Sequence, residues 1–184
     1  MSEEVTILDK TFVKYIRDEE INAAVAHVAA QINHDYQDEP PLILITLNGA
    51  IVFAVDLLKQ LSINARITCV KLSSYQGTES TNKINQLIGL SDDVRGKRVL
   101  IVEDIVDTGR TYQHLWNMLH EAGVKEVRIA TMTLKPEAYK LDLPVHYVGF
   151  SIPNKFVIGR GLDYDGYGRQ LPDIYQLKTE GNGR

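Results

Sequence analysis

Three acidic residues lie close together in residues 98–111, RVLIVEDIVDTGRT, with a spacing that suits chemistry better than a purely structural role. The apolar residues 99–102 predict a buried strand, and Glu103 and Asp104 follow it directly. Because burying unpaired carboxylates costs free energy, we expect both acids where the strand emerges from the core. Carboxylates in that place can bind sugar hydroxyls or a divalent cation.

The third acid, Asp107, opens a turn that joins this strand to a predicted helix. Helix N-termini present unpaired amides and a partial positive charge. Thr108 and Thr111 add hydroxyl donors, and Gly109 lets the backbone approach a ligand closely. These features predict a phosphate site. The alternative is an ordinary N-cap made by Asp107 or Thr108; the acidic pair just before the turn favours the binding site.

The rest of the chain predicts the elements that position this turn. Amphipathic helices are predicted around residues 21–32, 51–61 and 112–119, and strands at residues 42–47, 66–72, 98–102, 126–134 and 145–150. Alternating strands and helices indicate an α/β fold with a twisted, mostly parallel sheet flanked by helices. Ligands of such sheets bind at the carboxyl ends of the strands, where the acids lie.

Two regions depart from this alternation. Residues 73–85 are polar and without periodicity, and predict a mobile loop. The tail, residues 151–184 and here called the hood, mixes aromatic residues and glycines irregularly and predicts the main part of a small lobe over the sheet edge, to which the N-terminus would also contribute. We expect residues 1–184 to form one domain that includes both regions.

The composition narrows the classes of function. The 184 residues carry a formal net charge of −4, which disfavours a nucleic-acid-binding protein. No apolar run approaches the roughly 20 residues of a membrane span, and the N-terminus lacks a signal-peptide pattern, so a cytoplasmic protein without membrane contact is expected. The sequence contains neither a P-loop nor a complete dinucleotide fingerprint.

The segment VLIVEDIVDTGRT resembles the phosphoribosyl-pyrophosphate motif of the type I phosphoribosyltransferases. Further motifs, in the same order, resemble the hypoxanthine-guanine members of that family: LNGA at residues 47–50, SSY at 73–75, Lys135 after a strand, and NKFVIGRGLDY at 154–164. The resemblance implies transfer of phosphoribose from phosphoribosyl pyrophosphate to N9 of a 6-oxopurine, hypoxanthine or guanine. The products would be the nucleotide, IMP or GMP, and pyrophosphate.

The resemblance also implies roles around the sugar phosphate. Glu103 and Asp104 would hold the ribose hydroxyls, directly or through Mg²⁺. The phosphate turn, residues 107–111, would bind the 5′-phosphate; it includes Arg110, to which we assign no side-chain role. Asp107 would in addition accept a proton at N7 of the purine.

On the purine and leaving-group sides, the resemblance implies a second set of roles. Lys135 would donate to the oxygen at C6, Phe156 would stack on the base, and the backbone of Val157 would read the edge of the base. Asp163, in the same part of the hood, would support a magnesium ion near pyrophosphate. The residues implied for pyrophosphate binding are Leu47, Asn48, Gly49 and Arg169, and those for the tip of a lid loop are Ser74 and Tyr75.

Asn48 departs from the family pattern, because many relatives carry lysine there. The family uses mainly the backbone at that position, through an unusual peptide geometry between Leu47 and Asn48. Members of the family are usually dimers or tetramers, so a homodimer or homotetramer is expected. Which of hypoxanthine, guanine and xanthine is preferred stays open, because the C2 position is read by backbone groups of the hood.

Two other functions are compatible with parts of the pattern. A phosphorelay receiver domain also opens with an apolar strand and an acid pair, but the following strands end without the phosphoacceptor aspartate it requires. A non-enzymatic regulator on the same fold, which binds RNA, can share the TGRT turn. The negative net charge and the purine-type hood argue against that second alternative.

Overall fold

The protein, seen in a computed structural model, is described for residues 2–74, 84–88 and 93–179. Its helices are α1 (Asp18–Asp35), α2 (Ile51–Leu58) and α3 (Arg110–Glu121). Its strands, in chain order, are β1 (Glu4–Ile7), β2 (Lys10–Ile16), β3 (Leu42–Leu47), β4 (Arg66–Ser74), β5 (Ile84–Ile88), β6 (Arg98–Val106), β7 (Glu126–Leu134), β8 (Tyr147–Ser151), β9 (Val157–Ile158) and β10 (Ile174–Leu177).

The large sheet has the strand order β5-β4-β3-β6-β7-β8. All neighbours from β4 to β8 are parallel, and β5 pairs antiparallel to β4 at the edge. The predicted α/β fold with a mostly parallel sheet is therefore confirmed. Its central strands are continuously apolar because both of their faces are covered, as parallel sheets require.

Helices cover the two faces of the large sheet. Ile43 and Leu100 pack with α1 and α2, whereas Leu44 and Ile101 pack with α3 on the other side. The side chains of neighbouring residues in one strand thus pack into the hydrophobic cores on opposite faces of the sheet, in keeping with the two-residue repeat of a strand. This double covering fixes the strand ends from which the candidate site is built. No helix of the described residues has the length and apolarity that crossing a membrane would require.

Several boundaries differ from the sequence predictions. Strand β6 continues to Val106, so Glu103 and Asp104 lie within it and not at its end. Helix α2 ends at Leu58, earlier than predicted. The outer parts of the predicted loop 73–85 belong to β4 and β5, which pair with each other. The predicted lid residue Tyr75 lies outside the described residues, and the lid stays a prediction.

The small sheet has the order β1-β2-β10-β9 and is antiparallel throughout. The hood supplies β9 and β10, while the N-terminus supplies β1 and β2, which the sequence analysis did not identify as strands. Phe12, Ile158 and Tyr175 form its own small core. The hood is therefore held by a segment more than a hundred residues away in the chain.

Candidate active site

Glu103 is buried inside the carboxyl half of β6, with 8% of its surface exposed. Its Oε2 atom has no hydrogen-bond partner among the described residues. Burial, and next the charge of Asp104, raise the pKa of Glu103 well above its ordinary value. The expectation that this acid would emerge from the core is wrong. The direction of the shift follows because a neutral acid loses less hydration on burial than a carboxylate does.

Asp104 is half-buried and faces the loop that follows β3, the strand next to β6. Its Oδ1 accepts a hydrogen bond from the Ile105 amide at 2.9 Å. A Cβ atom placed on Gly49 would lie 1.7 Å from Asp104 Oδ2, so only glycine leaves room for this carboxylate. The backbone of residues 47–49 and the acid pair therefore belong to one site. The peptide bond between Leu47 and Asn48 is cis, the unusual geometry that the resemblance implies.

The phosphate turn, residues 107–111, leads directly into α3, with Gly109 as its N-cap at φ +83°. That left-handed conformation suits glycine, and a Cβ atom there would also lie 2.5 Å from the Tyr139 ring. In the described residues, no side chain caps α3 and its first turn contains no acid. The alternative of an ordinary N-cap made by Asp107 or Thr108 is therefore wrong. The turn lines a cavity of about 260 Å³ together with the acid pair. Thr108, Arg110 and Thr111 are exposed.

Asp107 and Lys135 meet across the ends of neighbouring strands. Lys135 Nζ donates to Asp107 Oδ2 at 2.8 Å, and the Lys135 amide donates to the Val106 carbonyl at 2.9 Å. Only 6% of the Lys135 surface is exposed, whereas most lysines are solvated. The two residues implied for neighbouring atoms on one edge of a purine, N7 and the oxygen at C6, are thus in direct contact.

Phe156 in the hood is 44% exposed, which is unusual for a large aromatic side chain. Its ring lies against Phe12 and edge-on to Tyr164, at centroid distances of 6.2 and 5.9 Å. The next residue, Val157, is buried and sits on the edge strand β9. Because the Phe156 carbonyl accepts from the Leu177 amide, the alternating ladder leaves the amide and carbonyl of Val157 pointing away from β10.

Arg169 and Asp163 form an ion pair of 2.7 Å within the hood. Arg169 Nη1 also donates to the Gly161 carbonyl at 2.7 Å, and Asp163 Oδ2 accepts from the Gly166 amide. Gly161 touches the loop after β3, since a Cβ atom there would lie 2.0 Å from the Gly49 carbonyl oxygen. The pair is therefore tied through Gly161 to the backbone implied for pyrophosphate binding.

The acids do not build a complete metal cage from protein atoms alone. Among the described residues, no group of three or more His, Cys, Asp or Glu side chains lies close enough to hold a metal ion. Mg²⁺ commonly takes one or two carboxylates, several waters and substrate phosphate oxygens. Glu103 and Asp104 on β6, and Asp163 in the hood, are suited to that incomplete kind of coordination.

Two threonines that the sequence analysis missed support the acid pair from the strands on either side. Thr46 on β3 donates to the Val102 carbonyl at 2.9 Å, and Thr133 on β7 donates to the Asp104 carbonyl at 3.1 Å. Both are buried. The available signal was a hydroxyl residue near the end of an otherwise apolar strand, in LILITL and in RIATMTL.

Comparison with known proteins places the chain in a family. The sequence model of the phosphoribosyl transferase domain matches residues 14–165, and the chain belongs to that family. It is 38% identical over 166 residues to a hypoxanthine-guanine phosphoribosyltransferase of Streptococcus pneumoniae, covering 90% of this chain and 92% of the relative.

Solved structures show the same similarity. The fold matches a hypoxanthine phosphoribosyltransferase from Staphylococcus aureus with a TM-score of 0.84 at 36% identity, over 90% of each chain. It also matches a hypoxanthine-guanine phosphoribosyltransferase from Bacillus anthracis with a TM-score of 0.84 at 34% identity, over 90% of this chain and 98% of the other. The predicted resemblance to this family is confirmed.

Proposed function

We propose that this protein transfers phosphoribose from phosphoribosyl pyrophosphate to N9 of a 6-oxopurine, hypoxanthine or guanine, in purine salvage. The observation that carries the proposal is the contact between Asp107 and Lys135 beside an uncapped helix N-terminus. It joins a proton acceptor, a purine-reading donor and a phosphate site at one edge of the sheet. The relatives of this chain bear the name of the same activity.

Lys135 accounts for the choice of base. An ammonium group donates hydrogen bonds and accepts none, so it suits the oxygen at C6 of hypoxanthine or guanine. Adenine presents an amino donor there, and two opposed donors would both remain unsatisfied. The exposed ring of Phe156 supports stacking on the base, and the outward amide and carbonyl of Val157 can bond to its edge.

Asp107 supplies the proton acceptor of the reaction. The bond between C1 of the ribose and the pyrophosphate oxygen breaks, and the purine N9 forms a new bond to C1. The proton on the purine passes from N7 to the Asp107 carboxylate, as general base catalysis requires. Because Lys135 donates to the same carboxylate in the free protein, the incoming base replaces one partner of each group.

The phosphate turn would bind the 5′-phosphate through the amides at the start of α3 and the hydroxyls of Thr108 and Thr111. Arg110 is exposed and needs no side-chain role. The backbone of Leu47, Asn48 and Gly49 and the guanidinium of Arg169 would hold the pyrophosphate. Backbone binding explains how Asn48 can replace the lysine of many relatives.

Glu103, Asp104 and Asp163 would hold magnesium ions together with substrate oxygens. They fit that group because a buried Glu103 oxygen has no hydrogen-bond partner in the described part of the chain and the Asp104 carboxylate lies against the loop after β3. Bound Mg²⁺ supplies positive charge that stabilises the departing pyrophosphate. Glu103 and Asp104 would also hold the ribose hydroxyls. We also propose that the loop bearing Ser74 and Tyr75 closes over the bound substrates and excludes water. A cytoplasmic location and a dimeric or tetrameric assembly complete the proposal.

A screen of bases tests the proposal. The wild-type protein is incubated with phosphoribosyl pyrophosphate, Mg²⁺ and one of hypoxanthine, guanine, xanthine or adenine, and the nucleotide is measured by chromatography. We expect nucleotide from hypoxanthine and guanine. RNA filter binding at physiological salt serves as the second arm. Tight RNA binding without any nucleotide formation would favour the regulator and contradict the enzyme.

A further inference from the structure

Arg160 in the hood occupies a backbone conformation that is uncommon for a residue with a side chain. Its φ is +51°, between Gly159 at +94° and Gly161 at +102°, so three consecutive residues are left-handed. Glycine would adopt this conformation more easily. Nevertheless the position carries an arginine, and only 8% of its surface is exposed. Its side chain must therefore contribute something that glycine could not.

The Arg160 guanidinium joins the hood to both helices on one face of the large sheet. It donates from Nη1 to the Asp18 carboxylate and from Nη2 to Asn22 Oδ1 at 2.6 Å, both on α1. Its Nη2 also lies 2.8 Å from Asp56 Oδ2 on α2. That contact is an ion pair and not an aligned hydrogen bond, since Asp56 Oδ2 has no hydrogen-bond partner among the described residues.

Both sides of the implied pyrophosphate site are attached to this contact set. On one side, Asp56 belongs to α2, the helix that follows the loop 47–50 directly. On the other side, Gly161 follows Arg160, lies against the Gly49 carbonyl and accepts a hydrogen bond from Arg169. The guanidinium thus connects α2, which follows the loop 47–50, with the part of the hood that contains the Asp163–Arg169 pair.

We propose that Arg160 is a positioning residue, which sets the separation between the backbone of residues 47–49 and the Asp163–Arg169 pair. The substrate group it serves is pyrophosphate, so the inference rests on the proposed function. Arginine suits this task because its rigid fork of donors reaches several acceptors at once, whereas lysine offers a single point charge.

The test compares Arg160→Lys, Arg160→Met and Asp56→Asn with the wild type. For each variant the KM values for phosphoribosyl pyrophosphate and for hypoxanthine are measured, and binding of pyrophosphate with Mg²⁺ is followed by calorimetry. We expect the KM for phosphoribosyl pyrophosphate and the Kd for pyrophosphate to rise about 10- to 100-fold, because small misplacements at a site have effects of that size. The KM for hypoxanthine should stay within about twofold of the wild-type value, because Arg160 is not proposed to position the groups that contact the purine.

Arg98→Met is the matched control. Arg98 is also an ion-paired arginine, its side chain only 13% exposed, but it binds Glu126 at the opposite end of the large sheet. The Arg98→Met substitution should lower the Tm without changing the Kd for pyrophosphate. If Arg160→Met fails to fold, Arg160→Lys and Asp56→Asn decide the matter.

The outcomes separate two failures. An active wild type, together with folded variants that bind pyrophosphate as the wild type does, would overturn the role of Arg160. Equal rises in both KM values would also overturn it, since they indicate general loosening. A wild type that forms no nucleotide with any purine would instead contradict the proposed function. Pyrophosphate binding by calorimetry would then still test Arg160 directly.

Discussion

The two ends of the large, mostly parallel sheet differ in how completely their charged side chains are paired. At the amino end, Arg98 pairs with Glu126 at 2.9 Å and Arg128 pairs with Asp35 at 2.7 Å. The Tyr36 ring lies under Arg98, whose guanidinium carbon is 4.3 Å from its centroid. The charged side chains named at this end, which are half-buried or exposed, are therefore paired with one another.

At the carboxyl end the acids of β6 remain incompletely partnered among the described residues. Within residues 2–74, 84–88 and 93–179, Glu103 Oε2 accepts no hydrogen bond and the start of α3 has no side-chain cap. The Lys135–Asp107 contact joins two groups that we expect to part when a purine binds. We therefore expect the amino end of the sheet to serve stability and the carboxyl end to serve ligand binding, and substitutions at each end should separate these two properties.

The largest effect is expected from Asp107→Asn at the carboxyl end. The amide keeps the shape of the turn but cannot take a proton, so kcat should fall by roughly 10²–10⁴. Binding of the product IMP should change far less, because the proton transfer belongs to the reacting state. Steady-state kinetics and IMP titration measure both. Asp38→Asn, an exposed aspartate near the amino end, is the control, and an equal loss there would break the comparison.

Lys135→Met should give the next largest effect. Loss of the donor to the C6 oxygen should lower kcat/KM for hypoxanthine roughly 10- to 100-fold, the value of one charged hydrogen bond. The same change removes the opposed donor for adenine, so the ratio between the two bases should narrow. Initial rates with each base measure it. Lys59→Met, at an exposed lysine, should leave the ratio as it is. A ratio unchanged in Lys135→Met would remove this residue from base selection.

At the amino end, Glu126→Gln should act on stability alone. Arg98 and Arg128 would lose a shared, half-buried carboxylate, which should lower the free energy of unfolding by about 1–3 kcal/mol. Urea denaturation measures this loss. The kcat of the folded variant should match that of the wild type. A large fall in kcat would mean that the two ends are not separable.

The smallest effect concerns the pH dependence of stability in the ligand-free protein. The pKa of Glu103 is raised in the folded state above the ordinary value of 4.5, so folding favours its neutral form. Its favourable contribution is complete below that ordinary value and is lost as the pH rises through the folded pKa. Glu103→Gln removes this loss. The Tm of Glu103→Gln minus that of the wild type should therefore be near zero at acidic pH and grow toward neutral pH.

Calorimetric scans at several pH values, without magnesium or substrate, test this difference. Other titrating groups, such as His146, whose pKa burial lowers, are common to both proteins and cancel. A Tm difference that does not vary with pH would show that Glu103 is ionised in the fold.

The sequence predicted the five parallel strands of the large sheet and the residues at its carboxyl edge, because both leave local signals, but it did not predict the edge strand β5. Continuous apolar runs mark buried parallel strands, and the acids and the phosphate turn are contiguous with one of them. The burial of Glu103 left no such signal, because it depends on β6 continuing past the acids. Strand β2 pairs with β10, which lies far away in the chain, and β1 in turn pairs with β2. The contacts of Arg160 likewise join residues separated by more than a hundred positions, which one sequence does not reveal.

The most direct test of the central claim is a competition between two bases. Wild-type protein receives phosphoribosyl pyrophosphate, Mg²⁺ and equal concentrations of hypoxanthine and adenine, and IMP, AMP and pyrophosphate are quantified together. The account predicts one pyrophosphate for each IMP, with AMP formed at least about 100-fold more slowly, because Lys135 rejects the amino group at C6. Equal formation of AMP, or pyrophosphate released without any nucleotide, would contradict it.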